Sequence, residues 1–88
     1  MIIGFSDNAW EDYLYWQAND KKILKRINLL LQDIKRNPFD KNALGKPEKL
    51  KANYQGYYSR RINYEHRLVY KIIDDVIIVA QGRYHYER

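Results

Sequence analysis

The sequence predicts an α+β fold: an N-terminal strand and two helices packed on one face of an antiparallel, twisted sheet of four to five strands. Three observations carry this expectation. Ile23, Ile27, Leu30 and Ile34 recur at the spacing of a single helix face, with Leu24 and Leu31 beside them. Three β-like segments joined by short turns fill the last third of the chain. A brief apolar run, Met1 to Phe5, opens it.

The opening run reads as a short strand. Ser6 or Asp7 then offers an N-cap, and Asp7, Glu11 and Asp12 suit the positive end of a helix dipole. The first helix carries Trp10, Tyr13, Leu14 and Trp16 on a mixed apolar face. Asn19-Asp20 breaks it, and Asp20 can cap the second helix. That helix sets Lys21, Lys22, Lys25, Arg26, Lys35 and Arg36 opposite its apolar stripe. It stops before Asn37-Pro38, because a residue preceding proline leaves the helical region. A loop from Phe39 to Lys46 follows, punctuated by Gly45 and Pro47. Strands are expected over Tyr57–Ile62, His66–Ile72 and Val76–Tyr84, with a shorter one near Leu50–Tyr54. Alternation turns Leu68, Tyr70 and Ile72 toward the helices and Arg67, Val69 and Lys71 away. Ile62 points inward and Arg61 outward. Arg83 and His85 share a face, so Arg61, Arg67 and His85 converge if that face is the open one.

With 88 residues and neither repeats nor linkers, the chain is expected to form one domain, residues 1–88. A hydrophobic fraction of 45% supports a core. There is no cysteine, so no disulfide framework and no thiolate metal site can form. The first residues do not have the form of a signal peptide, and no apolar run approaches the roughly 18 residues that cross a membrane. A cytoplasmic protein without a membrane partner is therefore expected. The net charge of +5 favours nucleic acid or an acidic protein as partner. Nine tyrosines interleaved with the cations add surfaces on which unpaired bases can stack, although most are expected in packing roles.

His85, near the end of the last strand-like segment, has a side chain that titrates near neutrality. Glu48 lies upstream in a lysine-rich loop, and Arg60, Arg61 and Arg67 lie in strand-like segments. One acid, one imidazole and several cations together point to acid-base chemistry on an anionic substrate. Each residue also has a plainer reading. Glu48 can be a solvated loop charge, the arginines cross-strand ion-pair partners, His85 an idle terminal residue, and Trp10 and Trp16 core or interface residues. His66 is the poorer catalytic candidate, since it shares the Leu68 face or flanks a turn.

Several blocks occur in an order that resembles the YoeB toxins of the RelE-like superfamily. They are Trp10-Glu11-Asp12-Tyr13-Leu14-Tyr15-Trp16, Gly45-Lys46-Pro47-Glu48, Leu50-Lys51, Gly56 through Ile62, Glu65-His66-Arg67-Leu68-Val69-Tyr70, and Arg83-Tyr84-His85-Tyr86. The resemblance spans essentially the whole chain. It implies a RelE-like fold and a ribosome-dependent endoribonuclease of a type II toxin-antitoxin system that cleaves mRNA in the A site of the 70S ribosome. It implies a cognate acidic antitoxin that blocks the site, homodimers in some members, and operator DNA bound only as the toxin-antitoxin complex. No metal or organic cofactor is implied. The family's general base falls on Glu48 and its general acid on His85. Its phosphate-binding residues fall on Lys51, Arg61 and Arg67, and its neighbouring tyrosine on Tyr86; Lys49 joins the substrate-binding candidates. The family pattern ends at the His-Tyr pair, whereas this chain continues to Glu87-Arg88.

RNA carries its own nucleophile, the 2′-OH. Cleavage needs a base for that proton, an acid for the leaving 5′ oxygen, and positive charge around the phosphate. Glu48, His85 and the Arg67, Arg61 and Lys51 cations match those needs, giving a 2′,3′-cyclic phosphate and a 5′-OH. The alternative is a non-catalytic RNA- or ribosome-binding module, which needs the cations but neither Glu48 nor His85. The chain shows no helix-turn-helix pattern for DNA binding by itself.

Overall fold

The computed structural model describes residues 1–85. Among them, strand β1 (Ile2–Phe5) leads into helices α1 (Asp7–Asn19) and α2 (Lys21–Arg36). Strands β2 (Glu48–Lys49), β3 (Tyr58–Arg61), β4 (Arg67–Ile73) and β5 (Val76–Gln81) follow. The five strands form one sheet in the order β1-β5-β4-β3-β2. The expected α+β architecture is thus present, and β1 adds a feature that alternation does not reveal. It lies parallel to β5, with Ile3 opposite Ile77, so the sheet is mixed, while β2 to β5 pair antiparallel throughout.

The helices begin and end where local chemistry directs. The Ser6 hydroxyl accepts from Ala9 N at 3.1 Å, capping α1. The Asp20 carboxylate accepts from Lys22 N and Ile23 N and caps α2. The last turn of α2 holds Lys35 and Arg36, and Asn37 ends it by donating its backbone N–H to Asp33 O at 2.7 Å. Ile27, Leu30, Leu31 and Ile34 of α2 bury against Leu68 and Tyr70 of β4 and Ile77 and Val79 of β5, with Ala9 and Trp16 of α1 closing one end.

Three strands depart from their expected limits. The segment near Leu50–Tyr54 is not a strand: pairing is confined to Glu48 and Lys49, and Ala52–Tyr54 form a 3-10 turn entered at Ala52 with φ +56°. β3 ends at Arg61 and β5 at Gln81 rather than Tyr84. A bulge explains part of this. Tyr70 pairs with Val79 but Val69 pairs with Gln81, leaving Ala80 as an extra residue. The Ala80 carbonyl instead accepts from the Ser6 hydroxyl at 3.1 Å. The bulge turns Gln81 to the face opposite Val79, so alternation from Val79 onward no longer places Arg83 and His85.

The polar centre of the fold is Arg60, whose side chain is 0% exposed. Its Nε donates to the Tyr70 hydroxyl at 3.1 Å, Nη2 to Asn37 O at 2.8 Å and Nη1 to Leu44 O at 3.1 Å. Nη1 also pairs with the Asp33 carboxylate. Burial pushes the Asp33 carboxyl up, but bonds from Arg60, Asn37 and Leu44 N, with the Arg60 charge, outweigh it and hold it below the ordinary value of 3.8. Burial raises the Tyr70 phenol, against the opposing effect of Arg60.

Removing Asp33 leaves a buried cation without its anion. Asp33→Ala is expected to cost about 3–5 kcal/mol, read as a lower urea midpoint at unchanged slope. The sign with pH follows from the depressed carboxyl. The unfolded chain takes up that proton first, so the Asp33 contribution is complete above about 3.8 and is lost as pH falls through the folded value. The variant should lack that acid-side loss.

Candidate active site

The loop after α2 delivers Glu48. Gly45 sits at φ +85°, and a Cβ there would lie 2.7 Å from Leu30 Cδ2 and 3.0 Å from Arg60 Cβ, so glycine is required. Lys46 follows at φ +51°. The Gly45 carbonyl accepts from Arg61 N at 2.7 Å, and Leu44 N donates to Asp33 at 3.2 Å. These bonds bring Glu48 opposite Ser59 on β3.

Register fixes which candidates share a face. Glu48 pairs with Ser59, Ser59 with Val69 and Val69 with Gln81, one row across the face turned away from the helices. Arg61 and Arg67 pair in the next row of that face. Glu48 and Arg61 are therefore diagonal neighbours on adjacent strands, about 7–8 Å apart. Val69 is 1% exposed yet stands outside the helix-side core, so this row has its own buried floor.

Arg61 is exposed, and its backbone is held by Gly45 O on one side and by Arg26 Nη2 at 3.2 Å on the other. Arg67 is half-buried. Its Nη1 lies 2.9 Å from Asn63 O, 3.3 Å from Tyr64 O and 3.2 Å from His66 O, so it also ties down the β3–β4 turn. Lys51 is exposed at the start of the 3-10 turn. Lys49 departs from the expected grouping. It pairs with Tyr58, which pairs with Tyr70 of the core, so it projects from the face opposite Glu48. At the sheet edge both Lys49 and Glu48 line one groove with Pro38, Phe39, Pro47 and Tyr58.

The segment bearing His85 follows β5 without being a strand. Gly82 N donates to Asp12 Oδ2 at 2.9 Å, and Trp16 Nε1 donates to Gly82 O at 2.8 Å. Tyr84 N donates to His66 Nδ1 at 2.7 Å, and Arg67 N donates to Tyr84 O at 2.9 Å. The Arg83 guanidinium stands 3.5 Å from the Tyr15 ring centroid. His85 is exposed, and its carbonyl accepts from Gln81 Nε2 at 2.6 Å. The structure thus brings the His85 segment beside Arg67 by backbone contact rather than by strand alternation. Tyr86 lies outside the described residues.

His66 is buried, its ring centroid 4.8 Å from that of Trp16. Burial pushes the imidazole below its ordinary value of 6.5, the Arg83 and Arg67 charges add to this, and Glu65 and Asp12 oppose it. Its Nδ1 is occupied by the Tyr84 backbone N–H, so the ring contacts the His85 segment through the main chain. Asp12 and Trp16 were not legible as site residues. Their signals are the i, i+4 spacing that puts both on one helix face and their place in the Trp10–Trp16 block. Among the described residues, no cluster of three or more His, Cys, Asp or Glu side chains is arranged to hold a metal, and no helix is long and apolar enough to cross a membrane.

These placements separate support from exposure. Glu48→Gln and Arg61→Ala should each change stability by less than about 0.5 kcal/mol. Arg67→Ala should cost about 1 kcal/mol through its turn carbonyls. Chemical denaturation of the three variants checks this order.

Residues 5–86 match the model of the YoeB-like toxins of bacterial type II toxin-antitoxin systems. Toxin YoeB of Synechocystis is 58% identical over 88 residues, covering 100% of both chains. The solved YoeB/ParE toxin from Agrobacterium tumefaciens superposes with a TM-score of 0.93 at 42% identity, covering 98% of this chain and 100% of the other. YoeB of Staphylococcus aureus is solved in a heterotetrameric complex with the antitoxin YefM and also as a dimer. Each superposes with a TM-score of 0.89 at 57% identity over 98% of both chains.

Proposed function

Because this chain belongs to the YoeB-like toxins of type II toxin-antitoxin systems, we propose that it is a ribosome-dependent endoribonuclease that cleaves mRNA and so halts translation. The observation that carries this reading is the shared face of Glu48, Arg61 and Arg67, with the His85 segment bonded to Arg67 at its edge. Glu48 takes the proton of the 2′-OH, and the freed oxygen attacks the adjacent phosphorus. The bond to the 5′ oxygen breaks, and His85 supplies the proton that oxygen needs. The products are a 2′,3′-cyclic phosphate and a 5′-OH. Arg67 and Arg61 stabilise the charge on the non-bridging oxygens. The arginine fork can bond two such oxygens at once, and Lys51 adds charge along the strand. Tyr86, beside His85 in sequence, completes the proposed catalytic set. Lys49, on the opposite face, is assigned to RNA flanking the scissile bond.

The site is open. Glu48, Arg61, Lys51 and His85 are all exposed, and fixed charges act most strongly where water is excluded. Substrate held in the 70S A site provides that cover, which supports ribosome dependence on physical grounds. A cognate antitoxin, bound as YefM is to its YoeB, neutralises the protein. The basic surface of this chain, net charge +5, suits an acidic partner. Operator DNA is bound only by the toxin-antitoxin complex, and the protein acts in the cytoplasm.

Primer extension on mRNA programmed into 70S ribosomes tests the proposal. Wild type should give a discrete cut, and Glu48→Gln and His85→Gln should each reduce its rate by roughly 100-fold or more. Inhibited translation without any cut by folded wild type would instead favour blockade by occupancy.

A further inference from the structure

We propose that Asp12, Trp16 and His66 form a positioning clamp that sets the geometry of His85 by holding Gly82 and Tyr84. This rests on the reading of His85 as the general acid. Both backbone groups of Gly82 are taken by side chains of α1, the N–H by Asp12 at 2.9 Å and the carbonyl by Trp16 Nε1 at 2.8 Å. Both groups of Tyr84 are taken from the β3–β4 region, the N–H by His66 Nδ1 at 2.7 Å and the carbonyl by Arg67 N at 2.9 Å. Two elements far apart in sequence thus grip alternate residues immediately before His85.

Stiffening of a chain end does not by itself call for this arrangement. Tyr84 stands at φ +63°, a left-handed conformation unfavourable for an aromatic residue. Such strain persists only where the surroundings over-determine it, and it collects at functional sites. Here it falls one residue before the proposed acid, at a residue both of whose backbone groups are held. A relaxed φ at Tyr84 would send His85 elsewhere while leaving the helix-side core intact.

His66 gives the clamp a pH dependence. Its Nδ1 accepts the Tyr84 N–H, so a proton on Nδ1 removes the bond. The charged groups acting on the ring are Glu65 in the turn, Asp12 on α1, Arg67 on β4 and Arg83 on the segment itself. Because the folded imidazole is depressed below 6.5, the clamp is complete near neutrality and opens only in more acid solution.

Single-turnover cleavage on programmed ribosomes, with maximal rate and half-saturating enzyme concentration measured separately, tests this in wild type, Trp16→Phe, His66→Leu and His66→Asn. Trp16→Phe keeps an aromatic ring but loses the donor. His66→Asn keeps an acceptor near Nδ1 without a titrating group. We expect Trp16→Phe and His66→Leu to lower the maximal rate about 10- to 100-fold with little change in half-saturation. His66→Asn should recover most of the rate and hold it to lower pH than wild type. Amide exchange should show Tyr84 N–H protected in wild type and His66→Asn but not in His66→Leu. Wild-type rates in folded Trp16→Phe and His66→Leu, equal losses in the Leu and Asn variants with unshifted pH profiles, or an unprotected Tyr84 amide in wild type would overturn the clamp. Absence of a cut by wild type would overturn the nuclease reading instead, leaving the exchange data to decide whether the segment is held.

Discussion

The buried guanidinium of Arg60 is the constraint on which much of this molecule rests. It joins the end of α2, through Asp33 and Asn37 O, to the following loop, through Leu44 O, and to the sheet, through Tyr70. A charge in the interior is costly unless it is paired and its donors are used. Those donors reach an anion, a hydroxyl and two carbonyls, so the buried guanidinium is paired and its nitrogens are used. Lysine could not do this, since one ammonium point cannot span partners on three elements. The loop has little regular structure, and β2 has only two residues. The position of Glu48 therefore depends on polar anchoring more than on strand pairing.

The legible parts of the fold were those written in local sequence. The apolar period of α2, the cap at Asp20, the choice of Ser6 or Asp7 as the first cap, which falls on Ser6, and the stop at Asn37-Pro38 need no information from elsewhere in the chain. Alternation correctly turned Leu68 and Tyr70 inward and Arg61 outward. It failed where one residue was added or where partners were distant. The Ala80 bulge is invisible to a period of two, and it ended the reliable reading of β5 four residues before His85. Arg60 was grouped with Arg61 and Arg67 as a cross-strand ion-pair partner, whereas its anion, Asp33, lies on α2, 27 positions away. Lys49 looked like a neighbour of Glu48 and is one in sequence, yet a single step along a strand sends it to the other face.

The candidate site is assembled from two halves that are anchored separately. The Glu48 half hangs from Arg60 and Gly45 at one edge of the sheet. The His85 half hangs from α1 and His66, beyond the end of β5. Arg67 lies between them and takes part in both structure and proposed chemistry. Its Nη1 bonds turn carbonyls, and its backbone N–H bonds Tyr84 O. Its donors are already partly committed, so less side-chain freedom remains to be lost when a phosphate binds. Arg61, exposed and without that commitment to the turn, is the more adaptable of the pair.

The division between rigid anchors and exposed tips matters for how the proposed reaction is controlled. The backbone behind each tip is fixed by hydrogen bonds from buried or half-buried groups, while Glu48, Arg61 and His85 stand in solvent. In water their fields are damped, so a free RNA strand gains little from them. When an RNA-lined surface closes over the same face, water leaves and prealigned charges act without reorganising. Tips on a fixed scaffold lose little entropy in that closure, whereas flexible loops would have to be ordered first. The same openness leaves the face accessible to a protein that covers it without supplying RNA. Under the proposed function, activation by an RNA-lined surface and neutralisation by a protein would compete for this one face.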